Sequence, residues 1–405
     1  MNAADNAWVL ASSALVLLMT PGLAMFYGGM TRQKNVLSTM MHSFFLMGLA
    51  SIIWLFYGFS LAFGPDALWG FIGNLKHFAL DGIGAEVWPD QTIPGTTFMI
   101  FQCMFAVITP ALISGAFAER MKFSAFIIFM FLWMTFVYCP VAHWVWGPDG
   151  WLLKMGALDF AGGTVVHINA GVAALACALV IGKRKGYGTA AMMPHNLTLT
   201  LLGAGLLWFG WFGFNAGSAL KADAGASMAF VVTHMATAAA ALSWVFAEWI
   251  IKGKPTTLGI ASGAVAGLVA ITPASGYVGP VSSVIIGAVA GVVCYLAVLA
   301  KAGFGYDDSL DVVGVHGVGG AWGAIATGLF ASKAINSAAA DGLFFGNPGQ
   351  LWTQIVAVLA TVAYSLIVTL VILYIVKAVV GLRVVEDEEV AGVDVSAHGE
   401  TAYNL

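Results

Sequence analysis

The sequence predicts an all-α integral membrane protein of eleven transmembrane helices, arranged as a 5+5 inverted repeat plus one extra helix. Three observations carry that prediction. Of the 405 residues 60% are apolar and only 9% charged, against about 25% charged in an average soluble domain, and no water-soluble surface can be assembled from that composition. Apolar runs of about 20 residues, the length a helix needs to cross a bilayer, recur along the whole chain. Two of those runs carry matching histidine motifs five helices apart.

The runs lie near 8 to 28, 37 to 63, 96 to 117, 124 to 143 and 162 to 182 in the first half. In the second they lie near 195 to 216, 226 to 251, 258 to 277, 279 to 300, 312 to 331 and 350 to 377. The basic residues test this count, because one missed helix would scramble their alternation between sides. Arg32, Lys34, Arg120, Lys122, Lys183, Arg184, Lys185, Lys252, Lys254, Lys301, Lys377 and Arg383 fall on one side, and Lys76, Lys154, Lys221 and Lys333 on the other. The expected placement is a multi-pass protein of the cytoplasmic membrane with its N-terminus outside and its C-terminus in the cytoplasm.

The opening MNAADNAWVL is acidic and lacks a small-residue cleavage site, so the first run is expected to be a span and not a signal peptide. The loop from Gly64 to Gly95 carries Asp66, Asp81, Glu86 and Asp90, as suits an external segment. Residues 1–377 read as one transport domain, with repeats at about 8–182 and 195–331 and helix eleven at 350–377. Residues 378–405 read as a cytoplasmic regulatory tail, too short for a core of its own and free to dock or bind a partner.

The chain has 49 glycines, well above the usual share of about 7%. Small residues let membrane helices approach closely, and Gly259, Gly263 and Gly267 in helix eight suit that role. The formal net charge of −4 argues against nucleic acid as a partner. Cys103, Cys139, Cys177 and Cys294 fall in apolar stretches and form no C-x-x-C pair, so neither a metal, a disulfide framework nor a cofactor is expected.

Helix five reads GGTVVHINAG and helix ten VVGVHGVGGAWG, each with a His followed four residues later by Gly. If helices one to five and six to ten are repeats, the odd number inverts one against the other and puts the pathway at their interface. His167 and His316 then face each other near the bilayer centre, where a histidine pair can pass a proton or donate hydrogen bonds. The other intramembrane ionisable groups read as structural. His143 and Glu248 lie near helix ends, and His42 and His234 suit lone interhelical hydrogen bonds. Asp159 precedes His167 by eight residues, roughly 12 Å along a helix, so it cannot touch it. Just before Gly162-Gly163-Thr164, it is placed to cap the start of helix five or to attract a cation.

Phe101 and Phe105 share one face of helix three, and Phe214 lies four residues before Ser218 in helix six. By themselves such aromatic stripes are ordinary packing. The longer motifs are more specific. MTPGLAMFYGGM (Met19 to Met30), GAFAERMKFSA (Gly115 to Ala125), DFAGGTVVHINAG (Asp159 to Gly171), WFGFNAGS (Trp211 to Ser218) and DVVGVHGVGG (Asp311 to Gly320) resemble the ammonium transporter family, the Amt/Mep/Rh proteins. The closing VGLRV and SAHGE resemble its cytoplasmic tail. The resemblance spans nearly the whole chain in order.

The resemblance implies a homotrimer of eleven-helix protomers in the lipid bilayer, each with its own pore for ammonium or ammonia, methylammonium being a close analogue. It implies an external recruitment site of Phe105, Trp146 and Ser218 with Asp159 near it, a gate of Phe105 and Phe214, and a pore lined by His167 and His316. Phe101, Tyr138, Trp211 and Thr272 are expected around this path. Trp146 and Ser218 together favour the ammonium-recruiting branch over the Rhesus-like one. The tail resembles one contacted by PII signalling proteins. The alternative function is an ammonium sensor acting through that tail. A membrane enzyme has little support, since no nucleophile and base stand at recognisable spacing.

Overall fold

A computed structural model of the chain describes residues 1–403 and is helical throughout its membrane part. The spanning helices are α1 (Ala3–Met30), α2 (Gln33–Phe63), α3 (Gly95–Phe117), α4 (123–146), α5 (Gly163–Ile181), α6 (Leu197–Gly217), α7 (Ala224–Lys252), α8 (Thr257–Ile271), α9 (Pro280–Phe304), α10 (Val313–Phe330) and α11 (Pro348–Val379). Ten are long and apolar enough to cross a membrane, and α8 is a shorter apolar helix. The expected eighth span to residue 277 ends early as regular helix. Pro273 cannot donate to the ladder, and the chain continues as turns through Tyr277.

Glycine decides how the halves meet. On the α1–α6 contact, a Cβ at Gly203 would collide with the backbone nitrogen of Phe26, and one at Gly22 would lie 3.0 Å from Leu206 Cβ. The glycines that follow the two histidines are used reciprocally. A Cβ at Gly171 of α5 would strike the backbone of Gly317, and one at Gly320 of α10 would come within 2.9 Å of His167 Cβ. Each helix therefore presses against the other at the histidine itself, as an inverted pair requires. Both helices also open with a π-helical turn, Gly163–Ile168 and Val313–Val318, a local widening common at functional positions.

The eleventh helix ties the repeats together. Gln354 of α11 donates to the carbonyls of Leu158 (2.7 Å) and Ala324 (3.1 Å), and Ser365 donates to that of Asn169 (3.0 Å). Gly263 and Gly267 seat α8 against Trp244 and Ala240 of α7, and Glu248 accepts from Thr256 at the start of α8. The four cysteines are buried and unpaired.

After α11 the tail folds back in two short helices, α12 (Glu386–Ala391) and α13 (Val393–His398). Asp394 accepts from the backbone nitrogens of Leu37 (3.0 Å) and Ser38 (2.7 Å) at the start of α2. Glu389 binds Arg383 at 2.6 Å and the backbone nitrogen of Lys185 at 2.7 Å. The tail thus docks on the loops before α2 and after α5, where a short segment without its own core finds buried partners.

Candidate functional site

The site begins as a vestibule of about 710 Å³ at the N-terminal end of α3 and the C-terminal ends of α4 and α6, lined in part by Phe101, Phe105, Trp146 and Ser218. Glu86, Asp90 and Asp149 stand on its loop wall with Lys76. Phe105 closes its floor. Its ring centroid is 4.4 Å from that of Phe214, 5.1 Å from that of Phe101 and 5.8 Å from that of Trp146, the last two edge-on. Phe105 and Phe214 are almost wholly buried, so the pair is shut. Ser218, one turn beyond Phe214 on α6, donates its hydroxyl proton to the Phe214 carbonyl at 2.8 Å, which leaves only lone pairs for a visitor.

Asp159 lies behind this wall and not in it. Its carboxylate accepts from the backbone nitrogens of Gly162 (2.8 Å), Gly163 (2.6 Å), Thr164 (2.8 Å) and Val165 (3.3 Å), and from the Thr164 hydroxyl. These are the donors that a helix start leaves unpaired. Its backbone carbonyl takes the indole N–H of Trp146 at 2.9 Å. Gly162 makes this possible with φ of +117°, where a Cβ would meet Val166 and approach Trp146. Asp159 therefore acts as the cap, and through Trp146 it orients the vestibule wall.

Below the gate is a cavity of about 10 Å³, which suffices for one water-sized molecule. His167, His316, Trp211 and Phe214 line it with Met19, Leu23, Phe26, Ile108, Leu112, Val166, Leu207 and Val265. The Nδ1 atoms of His167 and His316 are 3.3 Å apart, with ring planes 25° from parallel. A hydrogen bond between two Nδ1 atoms needs one donor and one acceptor, so a neutral pair consists of opposite tautomers. Trp211 stacks on His167 at 5.4 Å and 18°, and its own N–H is held by Thr272 Oγ1 at 2.9 Å. Thr272 thus fixes the wall of the pathway from behind.

Of the residues expected around the path, Phe101, Phe105, Trp146 and Ser218 meet at the vestibule, and Trp211, Phe214 and both histidines at the inner cavity. Tyr138 reaches neither. It is buried between the rings of Trp54 and Trp133, a packing position that sequence spacing does not separate from a lining one. The sequence reading missed Gln102 and the apolar lining from α1, α3 and α8, which carries no chemical signal to distinguish it from any other membrane core. His143 Nδ1 lies 2.9 Å from the Ala62 carbonyl, whereas His42 packs among Phe117, Phe123 and Phe126 with its Nδ1 unpartnered among the described residues, and so does not make the interhelical hydrogen bond expected of it.

Known proteins resemble this chain in sequence and fold. The family model described as Ammonium Transporter Family matches residues 7–403. The ammonium transporter of Bacillus subtilis is 55% identical over 405 residues, covering 100% of this chain and 99% of that protein. Ammonium transporter Amt1 of Archaeoglobus fulgidus is 50% identical over the full length of both. The crystal structure of Saccharomyces cerevisiae Mep2 superposes with a TM-score of 0.90 at 37% identity, over 96% of this chain and 89% of that one. A sensor Amt protein superposes with a TM-score of 0.89 at 30% identity, over 98% of each chain. By its family model, its full-length relatives and its fold, this chain belongs to the ammonium transporter family.

Proposed function

We propose that this protein carries ammonium across the cytoplasmic membrane by recruiting NH4+ at Phe105, Trp146 and Ser218, deprotonating it, and conducting NH3 past His167 and His316. The observation that supports this most is the order of chemistry along one line. An acceptor-only hydroxyl and aromatic faces come first, then a closed phenylalanine pair, then a water-sized cavity whose polar lining is two imidazoles. Aromatic faces attract any cation, at about 0.5 to 2 kcal/mol each. The Ser218 lone pair accepts a directional N–H hydrogen bond from ammonium, which Na+ and K+ cannot donate. Beyond the gate, an ion that keeps its charge meets a large desolvation cost and neutral ammonia does not. Loss of the proton is the selective step, and the histidine pair carries it by taking up a proton at one Nε2, passing the shared Nδ1 proton across and releasing one from the other Nε2, which leaves both rings neutral with their tautomers exchanged.

The protein works as a homotrimer with its C-terminus in the cytoplasm, as the distribution of basic residues supports. His234 stands exposed on the outer face of α7 against Trp208 and Phe212. An ionisable side chain facing lipid is costly, and a neighbouring protomer would cover it. The docked tail of residues 378–403 offers a PII-type signalling protein a cytoplasmic surface beside the basic loop at Lys183–Lys185.

Sensing is the second reading, since a sensor Amt protein has the same fold. Ammonium-evoked current in proteoliposomes, compared with potassium, separates the two: tight ammonium binding without current makes the protein a sensor. If the histidines carry the proton, His167→Asp abolishes or uncouples the current. Unchanged current with unchanged selectivity would sink that role.

A further inference from the structure

Beside the vestibule lies an oxygen acceptor that the fold itself does not use. Gln102 sits on α3 three residues before Phe105, hence on the same helix face. Helical side chains lean toward the N-terminus, which for α3 is the outer end, and Gln102 lines the same vestibule as Phe105, Trp146 and Ser218. Its Oε1 is shielded from solvent and has no hydrogen-bond partner among the described residues. Buried acceptors are nearly always satisfied, so an orphan beside a binding cavity marks a place for a donor.

The neighbouring groups define which donor fits. Ser218 has spent its hydroxyl proton on Phe214 and Trp146 its N–H on Asp159, so the first offers lone pairs and the second a ring face. The Asp159 carboxylate is filled by the start of α5. An ammonium ion presents four N–H groups in a tetrahedron. The faces of Phe105 and Trp146 and the Ser218 oxygen take three of them.

We propose that the Gln102 amide turns its Oε1 into the vestibule to accept the fourth N–H of the recruited ammonium ion, and that this acceptor sets the preference for ammonium over methylammonium. The inference rests on the recruitment site proposed above. Methylammonium has three N–H groups and must turn its methyl toward one of the four acceptors. A polar site that loses its donor discriminates more strongly than an apolar wall does, so the Gln102 oxygen penalises the alkylated ion.

The test is the half-saturating concentration of ammonium- and methylammonium-evoked current in proteoliposomes holding the full chain. Gln102→Leu raises the ammonium value about tenfold, the worth of one hydrogen bond to a charged group, while the methylammonium value changes far less. The preference for ammonium therefore narrows. Gln102→Glu keeps the acceptor and adds a negative charge, and holds the ammonium value at or below that of the native protein. Unchanged values in Gln102→Leu, or equal rises for both ions, overturn the inference. If Ser218→Ala and Trp146→Leu raise the ammonium value and Gln102→Leu does not, the inference fails and the recruitment site stands. If none of the three does, the recruitment site itself fails. Should Gln102→Leu carry no current, ammonium-dependent thermal stabilisation of the purified protein decides. Onset at the native concentration overturns the inference, and onset about tenfold higher supports it.

Discussion

Asp159 and Asp308 stand eight residues before His167 and His316, at corresponding places in the two repeats, yet their surroundings differ. The Asp159 carboxylate is satisfied by four backbone N–H groups and one hydroxyl at the start of α5, and among the described residues it forms no ion pair. Asp308 accepts from Val313 at 2.7 Å at the start of α10, but its Oδ1 has no partner among the described residues. Lys301 reaches the Asp308 carbonyl at 2.7 Å and the Asp311 carboxylate at 2.5 Å. Arg120, fully buried nearby, donates to the Asp307 carbonyl and Ser309. Both repeats begin the histidine helix with a carboxylate cap, and only the inner one is set among fixed cations. A lysine beside Asp159 would repel an incoming ammonium ion. The outer cap is instead neutralised by amide dipoles, which stabilise an anion without placing a full positive charge at the mouth.

The largest effect expected from this contrast is at Asp159. Replacing it with Ala strands four buried N–H groups at once, each costing about 1 to 3 kcal/mol, and frees Trp146 to turn. Ammonium-evoked current in Asp159→Ala liposomes should fall at least about a hundredfold, a loss of about 2.7 kcal/mol or more. Asp308→Ala should retain more of the current, because Asp308 holds fewer donors. Equal losses in the two variants would erase the distinction between the caps.

A smaller effect is expected where the repeats touch. Gly171→Ala drives a methyl into the backbone of Gly317, whereas Gly320→Ala brings one to 2.9 Å of His167 Cβ, a shallower overlap. Overpacking of this kind costs about 1 to 3 kcal/mol. Gly171→Ala should lower the thermal midpoint more than Gly320→Ala does. Reversal of that order would mean that α10, not α5, is the more compliant helix.

The two caps also show what the sequence could and could not disclose. The apolar runs, the basic loops and the repeated His-x-x-x-Gly pattern are one-dimensional signals, and the helices they predict stand in the structure within a few residues, apart from the end of α8 at Pro273. The glycine four residues after each histidine was visible as a pattern, but its use against the opposite helix was not. Asp159 was legible as a cap because its donors are local in sequence. Trp146 leaning on the Asp159 carbonyl, Thr272 holding Trp211, and Tyr138 buried among tryptophans depend on contacts between distant segments. Gln102 lies between Phe101 and Phe105, in a stretch whose spacing marks only the aromatic face. An amide's role rests on whether its oxygen is already taken, which spacing does not reveal.

The smallest and most specific effect belongs to the inner cap. Burial pushes the Asp308 carboxyl up to about 6, with Lys301 drawing it down and Asp311 adding to the rise. In the unfolded chain an aspartate titrates near 3.9. Between those values the native protein holds a proton that the unfolded chain has lost, so stability increases as pH falls from about 6 to about 4. The contribution is fully present below about 4, is lost as pH rises through about 6, and amounts to at most about 3 kcal/mol. Asp308→Asn removes the titration and keeps a side-chain oxygen for the Val313 N–H. Thermal midpoints of the two proteins in detergent should therefore differ in their slope between pH 4 and 6 and run parallel above about 6.5. Parallel curves over the whole range would show that Asp308 stays ionised, paired to Lys301 and Arg120, and that the inner cap is as fully compensated as the outer one.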